Sequence, residues 1–282
     1  MTALRNKKTV AEKRPARSRQ DEARQDSMSE KNYIAALARG LSVMRAFGHQ
    51  RDRLTLAELS KLVDLPRATV RRCLITLSTL GYVESSGKYF RLSPQVLTLS
   101  QAYFSSSSLP RITQSYIEQI SETVGESCSV SVLTGDEVVY VARSARKRKA
   151  SLHRDVGVNL PAYCTSMGRV LLSNLTPEEL DGYFSRVSLK KFNHKTIADE
   201  PALRKILAQV HNDDYCIIDG ELEHDLRAIA VPVRNVAGNV VAAINVSTES
   251  NRLTIRQLQT EVLPVMRQAV SRIRHSLVSL SS

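Results

Sequence analysis

The stretch that decides the fold of the first third of this chain is LTLAELSKLVDLPRATVRRCLITLSTLGYVESSGKYFRL, residues 54–92. Thr55 precedes an apolar helical pattern and Glu58 follows three residues later, which is the spacing of a capping box, so a short helix is predicted after Thr55. Pro66 stands where the first turn of a helix tolerates proline, and a second helical pattern continues to Leu80. Two helices separated by a tight turn are typical of a helix-turn-helix unit.

The second of these helices is predicted to have one apolar face and one basic face. Its inward stripe consists of Val70, Cys73, Leu74 and Leu77. A helix fits the major groove of DNA, where guanidinium groups make paired contacts with guanine or phosphate. The pattern therefore indicates DNA binding, although it does not assign a base to each residue. The candidate DNA-contacting residues of this helix are Arg67, Ala68, Thr69, Arg71, Arg72 and Thr76.

A β-hairpin is predicted directly after the second helix. Residues 82–84 and 89–92 have strand-forming composition and flank Ser85-Ser86-Gly87-Lys88, a turn sequence that contains glycine. This hairpin would be the wing of a winged helix-turn-helix domain over residues 33–92, and Lys88 at its tip is a further candidate DNA contact. The first helix of the domain is predicted from apolar residues at helical spacing: Ile34, Leu37, Leu41, Met44 and Phe47.

Positive charge is concentrated in the N-terminal part of the chain. The formal net charge is +12 at pH 7, and ten of these twelve charges precede residue 111. A basic head on a nearly neutral body is typical of a protein that binds a polyanion with one part and has another task for the other. Residues 1–32 are rich in polar and charged residues and poor in apolar ones, so we expect a disordered basic tail there.

The remainder of the chain is predicted to be an α+β domain with an antiparallel sheet. Residues 93–110 are interpreted as a linker helix that ends in a serine-rich hinge, and residues 111–282 as the second domain. Two alternating segments around Thr134-Gly135-Asp136 predict a hairpin, and helical patterns then precede three more strands and a long last helix. Strands that are joined by hairpins run antiparallel, which distinguishes this domain from a parallel α/β fold.

Composition also disfavours several classes of protein. The sequence shows neither a run of 18 apolar residues nor the apolar stretch of a signal peptide, so we expect a cytoplasmic protein without membrane contact. Cys73, Cys128, Cys164 and Cys216 lie far apart, without the paired spacing of a zinc site. We therefore predict no metal site, no cofactor and no catalytic residues.

The residues from Ala35 to Leu280 resemble the IclR family of bacterial regulators. The resemblance rests on ARGL at 38–41, the helix-turn-helix at 56–81, LPAYCTSMGRVLL at 160–172, RAIAVPV at 227–233, Gly238 and AAINVS at 242–247. The PAYCTSMGR form is most similar to the branch that controls aromatic-acid breakdown through protocatechuate and the β-ketoadipate pathway. The resemblance implies a GAF-like effector-binding domain behind the linker helix.

The resemblance also implies an effector pocket between the sheet and the segment 163–169, with the strand near Arg227 as another wall. Thr165 or Ser166 can cap the next helix, whose N-terminus would favour a ligand carboxylate, and Arg169 or Arg227 could add a charge-assisted pair. Asp225 departs from the family pattern, in which glycine is common, and leaves the geometry of its loop open. The candidate effector-binding residues are Tyr163, Cys164, Thr165, Ser166, Met167, Arg169, Asp219, Glu221 and Arg227.

These candidate effector residues also have purely structural interpretations. Arg169 and Arg227 could each form a salt bridge at a surface or an interface, and Cys164 and Met167 could pack in the core. The sequence leaves both interpretations open.

The sequence thus predicts a transcription regulator whose DNA binding responds to a small organic acid, either an aromatic acid or a dicarboxylate. We expect a dimer or tetramer, because paired half-sites give specificity, and RNA polymerase is considered as a further partner. Two alternatives stay open. One is an enzyme with Cys164 as nucleophile and His153 or His224 as base, and the other is a protein that binds nucleic acid without sequence preference.

Overall fold

The computed structural model describes residues 32–48, 52–145 and 155–278. These residues belong to two compact units, and the boundary between the units lies between Gln101 and Ala102. The predictions for the N-terminal tail up to residue 31 and for His153 as a base fall outside the described residues.

The first unit contains helices and a three-stranded sheet. In chain order its elements are α1 (Ala35–Arg45), a 3-10 turn (Ala46–Gly48), β1 (Leu54–Thr55), α2 (Leu56–Leu62), α3 (Arg67–Thr79), β2 (Val83–Ser86) and β3 (Tyr89–Leu92). A second 3-10 turn (Pro94–Val96) and α4 (Leu97–Ser106) follow. A short helix, a tight turn, a second helix and a hairpin occur in the predicted order, which confirms the winged helix-turn-helix fold.

Local signals set the start of both helices in the helix-turn-helix. The Thr55 hydroxyl accepts a hydrogen bond from the Glu58 backbone N–H at 3.3 Å, and the Glu58 carboxylate accepts one from the Thr55 N–H at 2.9 Å. This reciprocal pair is the predicted capping box at the start of α2. Asp64 has a positive φ of 49° in the turn, and Pro66 occupies the N-cap position of α3.

The core of the first unit is small, and Val43 is the buried side chain that α1 contributes to it. Its buried side chains are Val43, Phe47, Leu54, Leu59, Val70, Leu74, Leu77 and Val83. The inward stripe predicted for α3 is confirmed, with Cys73 partly buried at the margin of this core. Leu37 and Leu41 of the apolar repeat in α1 are instead 60% and 49% exposed. The apolar face of α1 is therefore wider than the core of the unit covers.

The wing is the hairpin of β2 and β3, in which Val83 lies opposite Leu92 and Ser86 lies opposite Tyr89. Its two-residue turn is Gly87-Lys88, where glycine adopts a φ of 59° that side chains rarely allow. β1 adds a third strand beside β3 and pairs Leu54 with Phe90. This short strand was not predicted, because Leu54 and Thr55 were interpreted only as the approach to α2.

The linker is organised differently from the prediction of one helix followed by a hinge. α4 ends at Ser106, and α5 (Ser108–Val124) begins before Pro110, which lies in its first turn. Proline is tolerated in the first turn of a helix because its missing N–H would have no helical partner there. The helix that was predicted to start beyond Pro110 therefore starts at Ser108, and Ser107 alone separates the two helices.

The second unit contains a six-stranded sheet with helices on both faces. After α5 its elements are β4 (Ser127–Thr134), β5 (Glu137–Ser144), β6 (Asn159–Pro161), a 3-10 turn (Ala162–Cys164), α6 (Ser166–Leu172), α7 (Pro177–Arg186), α8 (Glu200–Asp213), β7 (Cys216–Asp219), β8 (Leu226–Arg234) and β9 (Val240–Glu249). The last helix begins as α9 (Ile255–Gln257), passes through a π-helical turn (Leu258–Val262) and continues as α10 (Leu263–Val278).

The strand order of this sheet is β6-β5-β4-β9-β8-β7, and every neighbouring pair is antiparallel. One face packs against α5 and α10 through residues such as Ile117 and Met266. The opposite face packs against α6 and α8 through residues such as Ala243, Met167 and Leu207. The predicted α+β class with an antiparallel sheet is confirmed, and burial on both faces explains why β8 and β9 are nearly continuous apolar runs.

Three further findings apply to the described part of the chain. None of its helices is long and apolar enough to span a bilayer. Among the same residues, no cluster of three or more His, Cys, Asp or Glu side chains could hold a metal ion. All four cysteines are free thiols.

We expect Gly168→Ala to destabilise the second unit, because Gly168 in α6 lies against the backbone of Ala162. A Cβ atom at position 168 would lie 2.1 Å from the Ala162 carbonyl oxygen and 2.4 Å from the Ala162 Cα. Overpacking of this kind costs roughly 1–3 kcal/mol. Thermal unfolding followed by circular dichroism should show a lower midpoint.

Gly182→Ala in α7 is the matched control for this substitution. A Cβ atom there would meet only the end of the flexible Arg186 side chain, at 3.2 Å, and alanine favours a helix over glycine by about 1 kcal/mol. We expect an unchanged or higher midpoint. Equal midpoints for the two variants would show that the approach of α6 to Ala162 does not constrain the fold.

Candidate functional site

The side chains of α3 separate into a buried face and an exposed basic face. Val70, Leu74 and Leu77 are buried in the core of the first unit. The exposed residues in the first turns are Arg67, Ala68, Arg71 and Arg72. Within the described part of the chain none of the three arginines has an ion-pair partner, so their charges are available to phosphates or base edges.

Thr69 and Thr76 lie on a third face of α3, which borders α1. They line, together with Arg72, a groove of about 510 Å³ that we call the α1/α3 groove. The apolar residues that line this groove are Ala36, Leu37, Leu41, Met44, Cys73, Leu77, Leu80, Tyr82 and Leu99. The structure therefore places two of the predicted DNA contacts, Thr69 and Thr76, at the edge of an apolar surface and away from the centre of the basic face.

The tip of the wing carries two cations on one aromatic ring. The Lys88 Nζ lies 5.4 Å from the centroid of the Tyr89 ring, and the Arg53 Cζ lies 4.8 Å from the same centroid. Such cation–π contacts hold the charged groups at the surface. Arg53 was not among the predicted DNA contacts, because only the pairing of β1 with β3 brings it beside the wing.

A small cavity in the second unit lies between the sheet and the start of α6. We call it the sheet-face cavity, and its lining residues are Tyr140, Leu160, Cys164, Thr165, Ser166, Met167, Ile218, Leu222, Glu223, Leu226, Ala228 and Asn245. Its volume is about 20 Å³, which is enough for one water molecule. The buried strand residues form its floor, and the segment 222–226 closes the side on which Glu223 is exposed.

Four of the nine predicted effector residues line the sheet-face cavity. They are Cys164, Thr165, Ser166 and Met167. The Thr165 hydroxyl caps α6 by accepting a hydrogen bond from the Gly168 N–H at 3.2 Å, as predicted. The five residues that do not line the cavity are Tyr163, Arg169, Asp219, Glu221 and Arg227. The Tyr163 hydroxyl, for example, donates to the Lys190 carbonyl at 2.7 Å.

Arg169 and Glu221 form a buried ion pair. Arg169 is 3% exposed, its Nη2 lies 2.6 Å from Glu221 Oε2, and its Nε donates to the Tyr163 carbonyl at 2.8 Å. The same Glu221 oxygen accepts a hydrogen bond from the Ile197 N–H at 3.1 Å, and the Glu221 carbonyl accepts one from the Thr196 hydroxyl at 2.6 Å. Glu221 thus neutralises the Arg169 charge in this structure, and a contact of Arg169 with a ligand stays a prediction.

Arg227 is also engaged within the protein. Its Nε donates to the Asp219 carboxylate at 3.0 Å, and its Nη1 donates to the carbonyls of Ser250 at 3.1 Å and Leu253 at 2.6 Å. The hydrogen bond from Arg227 lowers the pKa of the Asp219 carboxyl below its ordinary value, so this group is ionised at neutral pH. Both arginines form a salt bridge within the chain, and the Arg169 pair is buried and does not lie at a surface or an interface.

Asn245 on β9 is a lining residue of the sheet-face cavity that was not predicted. It is 3% exposed, and its Oδ1 accepts no hydrogen bond from any described residue. Buried polar atoms nearly always have a hydrogen-bond partner, so an unpaired one beside a cavity marks a position for a water molecule or a ligand atom. The signal was present in the sequence, because Asn245 is the lone amide in the apolar run VVAAINV at 240–246.

The loop before β8 folds without glycine at position 225. Asp225 is not among the described residues with positive φ, and its carbonyl accepts a hydrogen bond from the Ser250 N–H at 2.8 Å. The left-handed position is Gly220, with a φ of 78°, where a Cβ atom would lie 2.7 Å from the His224 carbonyl oxygen. Asp225 therefore occupies its position without the left-handed backbone conformation that glycine favours.

Cys164 is poorly suited to act as a nucleophile. Burial and the nearby Glu221 charge raise the pKa of the Cys164 thiol to about 12. The thiolate is the reactive form, and at neutral pH this thiol is protonated. His224 is exposed and makes a hydrogen bond with its neighbour Asp225 at 2.8 Å. The geometry therefore disfavours the enzymatic alternative.

We expect Glu221→Gln to lower the free energy of unfolding by about 3–5 kcal/mol, because glutamine leaves the Arg169 charge buried without a counterion. Urea unfolding followed by circular dichroism measures the loss. The matched control Glu200→Gln removes a carboxylate that pairs with Arg204 at 2.8 Å, where both side chains are partly exposed and a surface pair contributes about 0–1 kcal/mol. A loss for Glu221→Gln no larger than for Glu200→Gln would mean that the buried pair does not hold the site together.

Comparison with known proteins supports the sequence-based assignment. Residues 36–87 match the IclR helix-turn-helix domain, and residues 101–275 match the bacterial transcriptional regulator IclR C-terminal domain. The Pca regulon regulatory protein of Pseudomonas putida is 42% identical over 247 residues, which cover 87% of this chain and 85% of that protein. The p-hydroxybenzoate hydroxylase transcriptional activator of Acinetobacter baylyi is 37% identical and covers 86% of this chain and 92% of its own length.

A solved structure extends the comparison to the second unit. The inducer-binding domain of a double mutant of the PobR transcription factor from Acinetobacter, in complex with 3-hydroxybenzoic acid, is 35% identical, with a TM-score of 0.57. The match covers 60% of this chain and 98% of that domain. These relatives are transcription regulators, which sets the enzymatic alternative aside. The chain belongs to the IclR family of bacterial transcriptional regulators.

Proposed function

We propose that this regulator controls genes of aromatic-acid breakdown and that a small aromatic carboxylic acid controls its DNA binding from the sheet-face cavity. The observation that carries the proposal is the combination, in one chain, of an exposed basic face on α3 and a buried cavity lined by both apolar and polar groups. The names of the relatives support an aromatic acid as the effector class, since they refer to the Pca regulon, p-hydroxybenzoate hydroxylase and 3-hydroxybenzoic acid.

We assign base-edge and phosphate contacts to the basic face of α3. Arg67, Arg71 and Arg72 carry the charges, and the small side chain of Ala68 between them lets the helix approach the groove closely. Lys88 and Arg53 at the wing tip extend the positive surface toward the DNA backbone. Thr69 and Thr76 are assigned a position at the margin of this interface, because they border the α1/α3 groove.

The lining of the sheet-face cavity suits an aromatic acid. Apolar side chains such as Leu160, Met167 and Leu226 can pack against a ring, and the hydroxyls of Thr165 and Ser166 can reach its oxygen substituents. Cys164 completes this wall of the cavity. For the candidates that do not line the cavity we propose a supporting role, in which their hydrogen bonds fix the walls: Tyr163, Arg169, Asp219, Glu221 and Arg227.

Effector binding requires the sheet-face cavity to expand. Its volume of about 20 Å³ is far below the roughly 300–1,000 Å³ of ordinary ligand pockets. We propose that the segment 222–226 moves, because it forms the side of the cavity that borders solvent and its central residues, Glu223 to Asp225, are exposed.

We further propose that the chain self-associates through the α1/α3 groove. Leu37, Leu41, Leu80 and Leu99 line this groove and are largely exposed in a single chain. An exposed apolar surface of this kind favours a protein partner, and a second copy would supply the second DNA-reading helix that half-site recognition requires.

We also propose where this regulator acts and which protein it contacts. A regulator that binds chromosomal DNA acts in the bacterial cytoplasm, and from its operator it can contact RNA polymerase.

We expect the triple substitution Arg67→Ala/Arg71→Ala/Arg72→Ala to abolish sequence-specific DNA binding. The probe is a duplex that the full chain selects from a random-sequence library, and fluorescence anisotropy measures the dissociation constant. Each lost base contact costs about 1–3 kcal/mol, so the affinity should fall at least a hundredfold, and fewer phosphate contacts should flatten its salt dependence.

The matched control removes three exposed cations from the second unit, as Lys205→Ala/Arg256→Ala/Arg272→Ala, and should bind within a fewfold of the original protein. Unchanged affinity of the α3 triple variant for the selected duplex, with its helical content intact, would refute the assigned DNA-binding face.

We expect light scattering to give a particle mass that is a multiple of the chain mass of 31.4 kDa, and Leu37→Glu/Leu41→Glu to lower that mass at the same concentration. Burial of two carboxylates in an apolar interface is unfavourable. Leu62→Glu is the control, since Leu62 is exposed and does not line the α1/α3 groove. An original protein that is monomeric at micromolar concentration would contradict the proposal.

A further inference from the structure

We propose that Arg227 transmits the position of the segment 222–226 to the last helix of the second unit, and so couples effector binding to DNA affinity. Arg227 directly follows Leu226, which lines the sheet-face cavity, and its guanidinium holds the turn before α9. It acts as a positioning residue, since it does not line the cavity itself. The inference rests on the proposed function, because it requires an effector that moves the segment 222–226.

Arg227 closes the base of the loop that contains the segment 222–226. It pairs with Asp219 of β7 in the register of the sheet, and its Nε also donates to the Asp219 carboxylate at 3.0 Å. The Gly220 N–H donates to the Leu226 carbonyl at 2.8 Å and closes the same base. A displacement of the segment 222–226 therefore acts directly on the contacts of Arg227.

The other end of the guanidinium holds the turn 250–253 between β9 and α9. The Arg227 Nη1 donates to the carbonyls of Ser250 at 3.1 Å and Leu253 at 2.6 Å. The Ser250 N–H donates in turn to the Asp225 carbonyl at 2.8 Å, so this turn is bonded both to Arg227 and to the movable segment. Hydrogen bonds from a charged donor are stronger than neutral ones, and the planar guanidinium fixes the directions of its N–H groups. The position of the turn therefore depends on that of Arg227.

The turn 250–253 leads directly into the last helix. Leu253 packs against the apolar core that the sheet shares with α5 and α10. Thr254 caps α9 by accepting a hydrogen bond from the Gln257 N–H at 3.1 Å. The helix then continues through the π-helical turn into α10. Because packed interiors transmit strain and helices slide as units, a change at the first turn of this helix shifts α10 as well.

α10 connects this change to the linker through α5. Buried apolar side chains of both helices share one core, and the Tyr116 hydroxyl of α5 lies 2.9 Å from the Ser276 hydroxyl of α10. α5 follows α4 after Ser107 alone, and the boundary between the two units lies within α4. The contacts therefore run without interruption from the wall of the sheet-face cavity to the linker, and Arg227 is the side chain that joins the movable segment to the last helix.

The test compares Arg227→Met with Arg234→Met in the full chain. Methionine keeps an unbranched side chain and removes every hydrogen-bond donor. Arg234 is the matched control, because it lies at the opposite end of β8, pairs with the Asp214 carboxylate at 2.7 Å and donates to the Gly238 carbonyl at 3.2 Å. Within the described part of the chain it makes no hydrogen bond with the turn 250–253.

Fluorescence anisotropy gives the dissociation constant for the selected duplex with and without saturating 4-hydroxybenzoate, and calorimetry gives the affinity for the acid. We expect the acid to change the duplex affinity of the original protein and of Arg234→Met by at least about fivefold, and that of Arg227→Met by less than about twofold. Arg227→Met should still bind the acid, with an affinity within about tenfold of the original.

Hydrogen exchange followed by mass spectrometry separates transmission from a general loss of stability. In the original protein the acid should change the exchange of the segment 222–226 and also of residues 250–262. In Arg227→Met the response of the segment 222–226 should remain and the response of residues 250–262 should be lost, because the link between them is removed.

Arg227→Lys is the second variant, for the case that Arg227→Met loses its helical content. It keeps a cation beside Asp219, but one ammonium group does not reproduce the planar fork, so the acid should again change the duplex affinity by less than about twofold.

A change of fivefold or more in a folded Arg227 variant, or an equal loss of the change in Arg234→Met, would overturn the role of Arg227 and leave the proposed function standing. If the acid bound the original protein without changing its duplex affinity, the coupling would be absent and the inference would fall. If neither 4-hydroxybenzoate nor 3-hydroxybenzoate bound the original protein, the proposed function itself would fail, and the inference with it.

Discussion

The buried ion pair between Arg169 and Glu221 joins α6 to the loop after β7, two segments that line the sheet-face cavity, and the segment at Ile197 is joined to the same pair. Arg169 belongs to α6, Glu221 to the loop after β7, and the Glu221 carboxylate also accepts the Ile197 N–H. A buried pair of this kind need not add stability relative to apolar residues, because desolvation offsets much of the attraction. Its contribution is to specificity, since the observed arrangement pairs the Arg169 Nε, the Arg169 Nη2 and the Ile197 N–H together. The shape of the cavity therefore depends on this pair.

Because Arg169 and Glu221 neutralise each other, neither adds a net charge beside the cavity. The polarity of the cavity is therefore set by its own lining residues. Its floor carries the Asn245 amide, and its wall beside α6 carries the hydroxyls of Thr165 and Ser166. Linkage then requires that a ligand which changes DNA affinity binds differently to the DNA-bound and free states of the protein. Movement of the segment 222–226 offers one element whose position can differ between those states.

Much of the fold was predictable because its signals are local. The Thr55 and Glu58 capping box and the position of Pro66 are separated by few residues, and the antiparallel class follows from hairpin turns. The roles of Arg169 and Arg227 were not predictable, because spacing along the chain does not identify the carboxylate that each arginine meets in the folded protein. Helical periodicity likewise placed Leu37 and Leu41 on the apolar face of α1. It could not show that the core of the first unit leaves both side chains exposed.

The cavity residues illustrate the same distinction. Cys164 to Met167 were found from a contiguous motif, whereas Tyr140 and Asn245 reach the cavity only through strand pairing across the sheet. If effector and DNA binding are coupled, the dissociation constant of the full chain for its selected duplex depends on the effector. We expect saturating 4-hydroxybenzoate to change this constant by at least about fivefold. Equal constants with and without bound 4-hydroxybenzoate would show that the two sites are not coupled.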